Sequence, residues 1–211
     1  MKNSLRIYID LGNINCYLAM KQTLALISDF GLDVKWLPIS GIVKTVANRK
    51  PIIASADELS TIRLKRLEAR SRYEARELER NAARLGITVD GARHCFDQKF
   101  LHIALLYLNQ CAVSPEAFLN EVFEKAFRYK MDFENIDCVS LLIEKMGLNQ
   151  KGYLDFLEEG ALQLKELQTA TLEKGIFDAP AYQLNGENYQ GRAHLPLIRW
   201  YLNGASGTAP T

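Results

Sequence analysis

Strand-like sequence stands only at the two ends of this chain, and this placement limits the folds open to it. The first forty residues read as strand, helix and strand: LRIYID at 5–10, CYLAMKQTLALISDF at 16–30, which ends at Gly31, and then LDVKWLPI. Gly is the usual residue just past a helix end, and Pro near the end of the second strand suits a chain leaving a sheet. These residues predict a βαβ unit with parallel strands and a right-handed crossover.

The other end of the chain predicts a β-hairpin followed by a helix. The segment APAYQLNGENYQG holds two short strand-like runs around Asn185-Gly186, a pair of residues that favours a two-residue hairpin turn. RAHLPLIRWYLNG then reads as a helix ending at Gly204, and ASGTAPT at 205–211 reads as a disordered tail.

Everything between these ends is typical of helices. TIRLKRLEARSRYEARELERNAARLG ends at Gly86, and SPEAFLNEVFEKAFR opens with Ser114 as expected N-cap and Pro115 at the first helical position. The order predicts an α/β fold, a four-stranded mixed sheet with an all-helical domain inserted in it. We expect a discontinuous sheet domain at 1–52 and 172–204 and a helical domain at 53–171.

Charge and hydropathy exclude several classes of partner. The chain has 26 Lys and Arg against 25 Asp and Glu, a net charge of +1, so no overall field favours nucleic acid or an anionic membrane surface. The helix at 61–85 carries eight cations, but pairs such as Glu68 with Arg72 predict an ion-paired, solvated face. No apolar stretch is long enough for a membrane span or a signal peptide, so we expect a cytoplasmic protein.

The cysteines and histidines predict neither a metal site nor a dithiol. No C-x-x-C pair occurs among Cys16, Cys95, Cys111 and Cys138, so four free thiols are expected in a reducing compartment. His94, His102 and His194 show no ligand spacing.

The candidate site is the junction of first strand and first helix, GNINC at 12–16. A helix N-terminus offers unpaired N–H groups and a partial positive charge, and so stabilises a thiolate lying over it. Asn13 cannot act as a nucleophile, but its amide can donate to a bound thiolate; equally, it can be only a helix cap. Cys16 is either a small buried residue, the favoured reading, or a reactive thiol.

Four segments resemble DsbA-like members of the thioredoxin superfamily, above all the branch of 2-hydroxychromene-2-carboxylate isomerases and kappa-class glutathione S-transferases. IDLGNINCYLA is similar to D-x-x-S-P-Y-S-Y/W-L, and VKWLPISGIVKTVANRKP to V-x-W-x-P followed by G-x-F-K-x-x-G-N-x-P. RYEARELERNAARLGI resembles Y-x-x-x-D-L-x-R-x-A-x-x-L-G. EKGIFDAPAYQLNGENYQG resembles G-V-F-G-V-P-T-F-x-V-x-G-E-x-F-x-G.

The resemblance implies a role for individual residues. Asn13 stands at the position of the catalytic serine or nucleophilic cysteine, and Cys16 at that of the second, more buried residue. Asn48 matches an asparagine that lines the glutathione site, and Lys44 lies in the same loop. Pro180 matches the superfamily's cis-proline, which would leave the Ala179 backbone to pair with the cysteinyl part of glutathione.

The function implied is glutathione-dependent isomerase or transferase chemistry on a small hydrophobic or aromatic substrate held between the two domains, in a possible homodimer.

The chain departs from the pattern at Asn13, Ile14 and Asn15, and at Ala193, where the family often has an aspartate that holds glutathione. Two alternatives therefore stay open: a thiol-disulfide oxidoreductase-like protein that uses Cys16 alone, and a non-catalytic thioredoxin-like binding module.

Overall fold

The computed structural model describes residues 4–40, 58–88 and 97–210. The chain divides into two compact units, one formed by Met1–Gly41 with His94–Thr211 and the other by Ile42–Arg93. This division groups the helices that follow residue 97 with the sheet, and the predicted domain limits at 52 and 172 stay a prediction.

The first unit contains the predicted four-stranded mixed sheet, which the structure confirms. In the sheet the strands stand in the order β2-β1-β3-β4, with β1 parallel to β2 and antiparallel to β3. The strands are β1 (Ser4–Ile9), β2 (Asp33–Pro38), β3 (Ala181–Leu184) and β4 (Glu187–Gln190).

Strand β1 is central in the sheet. Leu5, Ile7 and Ile9 lie on one face of the sheet, and each is at most 1% exposed. The hairpin of β3 and β4 turns at Asn185 and Gly186, whose φ angles of 51° and 91° are those of the predicted two-residue turn. The site described below lies at the carboxyl end of β1.

Seven α-helices are described, six of them in the first unit. These six are α1 (Ile14–Phe30), α3 (Lys99–Gln110), α4 (Glu116–Arg128), α5 (Ile136–Lys145), α6 (Gln150–Glu173) and α7 (Leu195–Leu202). The hydroxyl group of Thr23 in α1 forms a hydrogen bond of 2.8 Å with the hydroxyl group of Tyr182 in β3. This bond joins the buried face of the helix to the sheet.

Three helix ends differ from the sequence prediction. Helix α1 begins at Ile14, two residues early, because Asn13 caps it. Helix α4 begins at Glu116 with Pro115 as its N-cap, so the expected cap at Ser114 is wrong by one residue. The last helix is divided into a short 3₁₀ turn and α7, and Trp200 Nε1 donates a hydrogen bond to the Ser206 carbonyl in the predicted tail.

The second unit contains α2 (Glu58–Ala83), a helix rich in charged residues. Its buried apolar side chains come late, at Leu78, Ala82 and the following Ile87. Arg70 and Glu74, one turn apart, form an exposed ion pair at 2.7 Å, which agrees with the expected ion-paired face. Among the described residues, no helix combines the length and apolar character that a membrane crossing requires.

Candidate active site at the start of α1

Asn13 makes two hydrogen bonds that fix its side-chain amide. Its Oδ1 accepts the Asn15 N–H at 2.9 Å and so caps α1, while its Nδ2 donates to the Ala179 carbonyl at 2.9 Å. Exchanging the amide oxygen and nitrogen would break both bonds, so the orientation is determined. The cap interpretation of Asn13 is thus correct, and the same residue also joins α1 to the loop before β3.

The amide of Asn13 keeps one donor for a ligand. A primary amide carries two N–H groups, and within the described chain only one of those on Asn13 is engaged, with Ala179. The side chain is half-buried at the mouth of the helix N-terminus. A fixed donor beside the positive end of a helix dipole is the arrangement that stabilises a thiolate or another small anion.

Ala179 has both of its backbone polar groups engaged within the chain. Its N–H donates to Asp178 Oδ1 at 2.9 Å, and its carbonyl accepts from Asn13. The peptide bond from Ala179 to Pro180 is cis, and the Pro180 carbonyl accepts the Gly191 N–H at 2.7 Å. Loop 177–180 is therefore held against both α1 and the turn after β4.

Cys16 lies behind Asn13, in the core. The side chain is 1% exposed, and its Sγ accepts the Asp10 N–H at 3.4 Å. Burial, and secondarily the Asp10 carboxylate, raise the pKa of the Cys16 thiol well above its usual value. The thiol is therefore protonated at neutral pH, and this geometry favours the interpretation of Cys16 as a small buried residue.

A buried polar group that the sequence did not single out lies near Asp10 and Leu11. His102 of α3 is 1% exposed, and its Nε2 accepts the Leu11 N–H at 3.4 Å. Burial lowers the pKa of His102 to about 4, so the imidazole is neutral at pH 7 and its 4.0 Å approach to Asp10 is no ion pair. The proton must then be on Nδ1, which is buried without a partner among the described residues.

Two further contacts fix the turn between β1 and α1. The Gly12 N–H donates to Asp10 Oδ1 at 2.9 Å, which closes the turn. A Cβ at Gly12 would lie 1.8 Å from Gln98 Nε2, so the side chain just before α3 rests directly on the glycine. Position 12 therefore needs glycine unless Gln98 moves aside.

Tyr17 lies one helical turn after Asn13, on the same face of α1. Its hydroxyl donates to Glu124 of α4 and accepts from Arg128 Nε at 3.1 Å. The ring stacks on Phe123 and Phe127, each with a centroid distance of 5.7 Å. The face of α1 that leads away from Asn13 thus meets an aromatic cluster bearing one ion pair.

The structure brings together some of the residues predicted for the site. Asn13, Ala179 and Pro180 meet at the start of α1, with Cys16 buried beneath them. Lys44 and Asn48 lie outside the described residues, and their roles stay predictions.

Three neighbouring residues were missed: Asp10, His102 and Asp178. Asp10 stands at the aspartate of the first resembling motif, and Asp178 stands where the fourth motif has glycine, so both had a signal in the sequence. His102 had none, because its neighbours lie far away along the chain. Within 4–40, 58–88 and 97–210, no three His, Cys, Asp or Glu side chains converge as a metal site would require.

Comparison with known proteins finds similarity in structure only. No protein-family model and no curated protein matches the chain. A solved 2-hydroxychromene-2-carboxylate isomerase superposes with a TM-score of 0.69 at 19% identity, covering 96% of this chain and 95% of the other. A probable DsbA oxidoreductase from Streptomyces coelicolor gives a TM-score of 0.67 at 15% identity, covering 99% and 93%.

A third similar structure has also been solved with glutathione. The cytosolic disulfide reductase DsbM from Pseudomonas aeruginosa matches with a TM-score of 0.63 at 15% identity, covering 96% of this chain and 98% of that one. Its complex with glutathione matches with the same TM-score at 14% identity. These likenesses extend over nearly the full length of every chain compared, and they confirm the predicted architecture: this chain has the DsbA-like thioredoxin fold with a helical insertion.

Proposed function

We propose that the protein carries out glutathione-dependent isomerase or transferase chemistry on a small hydrophobic or aromatic substrate. The observation that carries this proposal is the Asn13 amide, held by Ala179 and Asn15 so that one N–H remains for a ligand at the start of α1. A glutathione thiolate lying there accepts that N–H and is further stabilised by the helix dipole.

The chemistry then belongs to the ligand thiolate, since Asn13 has no nucleophilic atom. When bound, glutathione would supply a thiolate that can add to an electrophilic carbon of the substrate, reversibly in an isomerase and with uptake of a proton by the substrate in a transferase.

Several residues would serve this mechanism by binding. Ala179, next to Pro180, would pair with the cysteinyl backbone of glutathione, and Lys44 and Asn48 would hold its other groups, as the sequence resemblance implies. The similar DsbM structure with glutathione supports the choice of ligand, and the similar isomerase supports the type of reaction.

The burial of Cys16 weighs against the alternative that the protein is a thiol-disulfide oxidoreductase that uses Cys16 alone. A thiol that is 1% exposed and has a raised pKa is poorly placed to attack a disulfide. The second alternative, a non-catalytic binding module, is the outcome if glutathione does not bind.

The test is calorimetric titration with reduced glutathione across a range of pH. We expect binding that strengthens as the glutathione thiol ionises, and that weakens about tenfold in Asn13→Ala through loss of the charge-assisted hydrogen bond. Asn15→Ala is the matched control, because Asn13 uses only its backbone N–H. Absence of binding at millimolar glutathione contradicts the proposal.

Location and assembly form part of the same proposal. A glutathione-dependent protein with free thiols suits the cytoplasm, where glutathione keeps thiols reduced. A homodimer is proposed by resemblance alone. Cell fractionation and analytical ultracentrifugation test the two points.

A further inference from the structure

The backbone of Ala179 offers an incoming ligand unequal access to its two polar groups. A carbonyl oxygen has two lone pairs, so the Ala179 carbonyl can accept from a ligand while it still accepts from Asn13. An N–H has a single proton, and the Ala179 N–H already donates to Asp178 Oδ1 at 2.9 Å. Antiparallel pairing with a ligand backbone requires both groups.

Asp178, whose carboxylate accepts the Ala179 N–H, also carries a negative charge. Asp178 is half-buried, and its carboxylate adds, after burial and Asp10, to the causes that raise the pKa of the Cys16 thiol, so its field reaches the start of α1. The same field opposes a thiolate held by Asn13, because like charges repel across a poorly solvated site. Asp178 thus acts against both the backbone and the sulfur of a thiol peptide.

We propose that Asp178 is a specificity-determining residue that gates the site, occupying the Ala179 N–H until a ligand carbonyl displaces it. This inference rests on the proposed function, and it deepens it by setting the class of ligand. Thiols with an extended peptide backbone bind only by displacing the carboxylate. Small thiols without a peptide backbone do not use that N–H. Only the negative charge of Asp178 opposes their binding.

Two substitutions separate the hydrogen bond from the charge. Asp178→Asn keeps an oxygen that can accept the Ala179 N–H and removes the charge, whereas Asp178→Ala removes both. Glu173→Gln is the matched control, since Glu173 is an exposed carboxylate at the end of α6 and its loss changes the net charge equally. Asp178→Asn also preserves a partner for the buried N–H if Asp178→Ala proves unstable.

The first measurement, amide hydrogen exchange by NMR, tests the contact without a ligand. We expect the Ala179 amide to exchange about tenfold faster in Asp178→Ala than in the wild type, with Asp178→Asn between them, because the exchanging N–H loses its acceptor. Glu173→Gln should match the wild type. An unchanged exchange rate in Asp178→Ala overturns the inference whatever glutathione does.

The second measurement is glutathione titration of the same four proteins, with 2-mercaptoethanol as the thiol that lacks a peptide backbone. We expect glutathione to bind about tenfold tighter to Asp178→Ala and less than that to Asp178→Asn. The gain in affinity for 2-mercaptoethanol should be equal in Asp178→Ala and Asp178→Asn, since both substitutions remove the charge and this thiol does not use the Ala179 N–H. Wild-type binding with no gain in either variant overturns the gate and leaves the proposed function intact. No binding by any of the four proteins overturns both.

Discussion

The start of α1 has an outer side, formed by Asn13, Asp178 and Ala179, and an inner side, formed by Asp10, Cys16 and His102. On the outer side the polar groups are half-buried or paired with one another, and one N–H of the Asn13 amide has no partner among the described residues. On the inner side the titratable groups are at most 3% exposed.

This difference assigns different physical roles to residues that are three positions apart. Asn13 at the helix cap is half-buried, whereas Cys16 in the first turn points into the core. Burial keeps the Cys16 thiol protonated and the His102 imidazole neutral at pH 7, so neither group carries a charge there.

The largest expected effect concerns acid stability of the inner side. The pKa of His102 falls from 6.5 to about 4 on folding, so between these values the unfolded chain binds a proton that the native protein does not. Native stability is therefore complete above pH 6.5 and falls by about 3 kcal/mol as the pH drops toward 4.

The test is His102→Gln, which keeps an acceptor for the Leu11 N–H and cannot titrate. Urea unfolding at pH 7 and pH 4.5 should show a smaller loss of stability in this variant than in the wild type. His194→Gln, at an exposed histidine, should behave as the wild type does. Equal losses in all three proteins would show that His102 does not supply the pH dependence.

The second effect concerns thiol reactivity. Cys16 should react with iodoacetamide at least about a hundredfold more slowly than Cys111 and Cys138, because it is buried and protonated while they are partly exposed. Mass spectrometry of the native protein over time measures each site, and in guanidinium the difference should vanish. Rapid native modification of Cys16 would remove the distinction between the two sides.

The third effect concerns the outer side, through Asn13→Asp. Aspartate caps a helix as well as asparagine does, but its second oxygen would face the Ala179 carbonyl in place of the Nδ2 donor. We expect a loss of about 1 kcal/mol at pH 7, after allowing for the favourable helix dipole. Asn15→Asp, without such a bond, should be neutral or slightly stabilising. A variant at position 13 as stable as the wild type would mean that the bond to Ala179 contributes nothing.

The smallest effect provides a baseline away from both sides. Arg199 and Asp29 form an exposed ion pair at 2.7 Å, with side chains 41% and 51% exposed. Asp29→Asn should cost about 0.5 kcal/mol or less in urea unfolding, since solvent screens such pairs. A larger loss of unfolding free energy would mean that this exposed pair stabilises the protein as much as the hydrogen bonds at the start of α1 do.

Local patterns were sufficient to predict the elements of the fold. The Asn185-Gly186 turn, the helix stop at Gly31 and the order of strands and helices each depend on neighbouring residues, and all appear in the structure. Helix starts were less well predicted, because several adjacent residues can serve as cap; α4 shows this at Ser114 and Pro115.

The site was harder to predict, because its contacts join distant parts of the chain. The bond from Asn13 to Ala179 spans 166 residues, and the one from Leu11 to His102 spans 91. No periodicity reports such pairs. Motif resemblance identified Asn13 and Pro180, but the use that Asp178 makes of the Ala179 N–H depends on side-chain geometry within the loop.

The double use of Asn13 has a consequence for how this junction can change by mutation. Both asparagine codons become serine codons by one base substitution, and serine also caps helices. The cap on α1 can therefore persist while the side chain at position 13 changes from an amide to a hydroxyl. Helix α1 would keep its cap and lose the bond from Nδ2 to Ala179, so sequences that differ in the chemistry at this position are one base substitution apart.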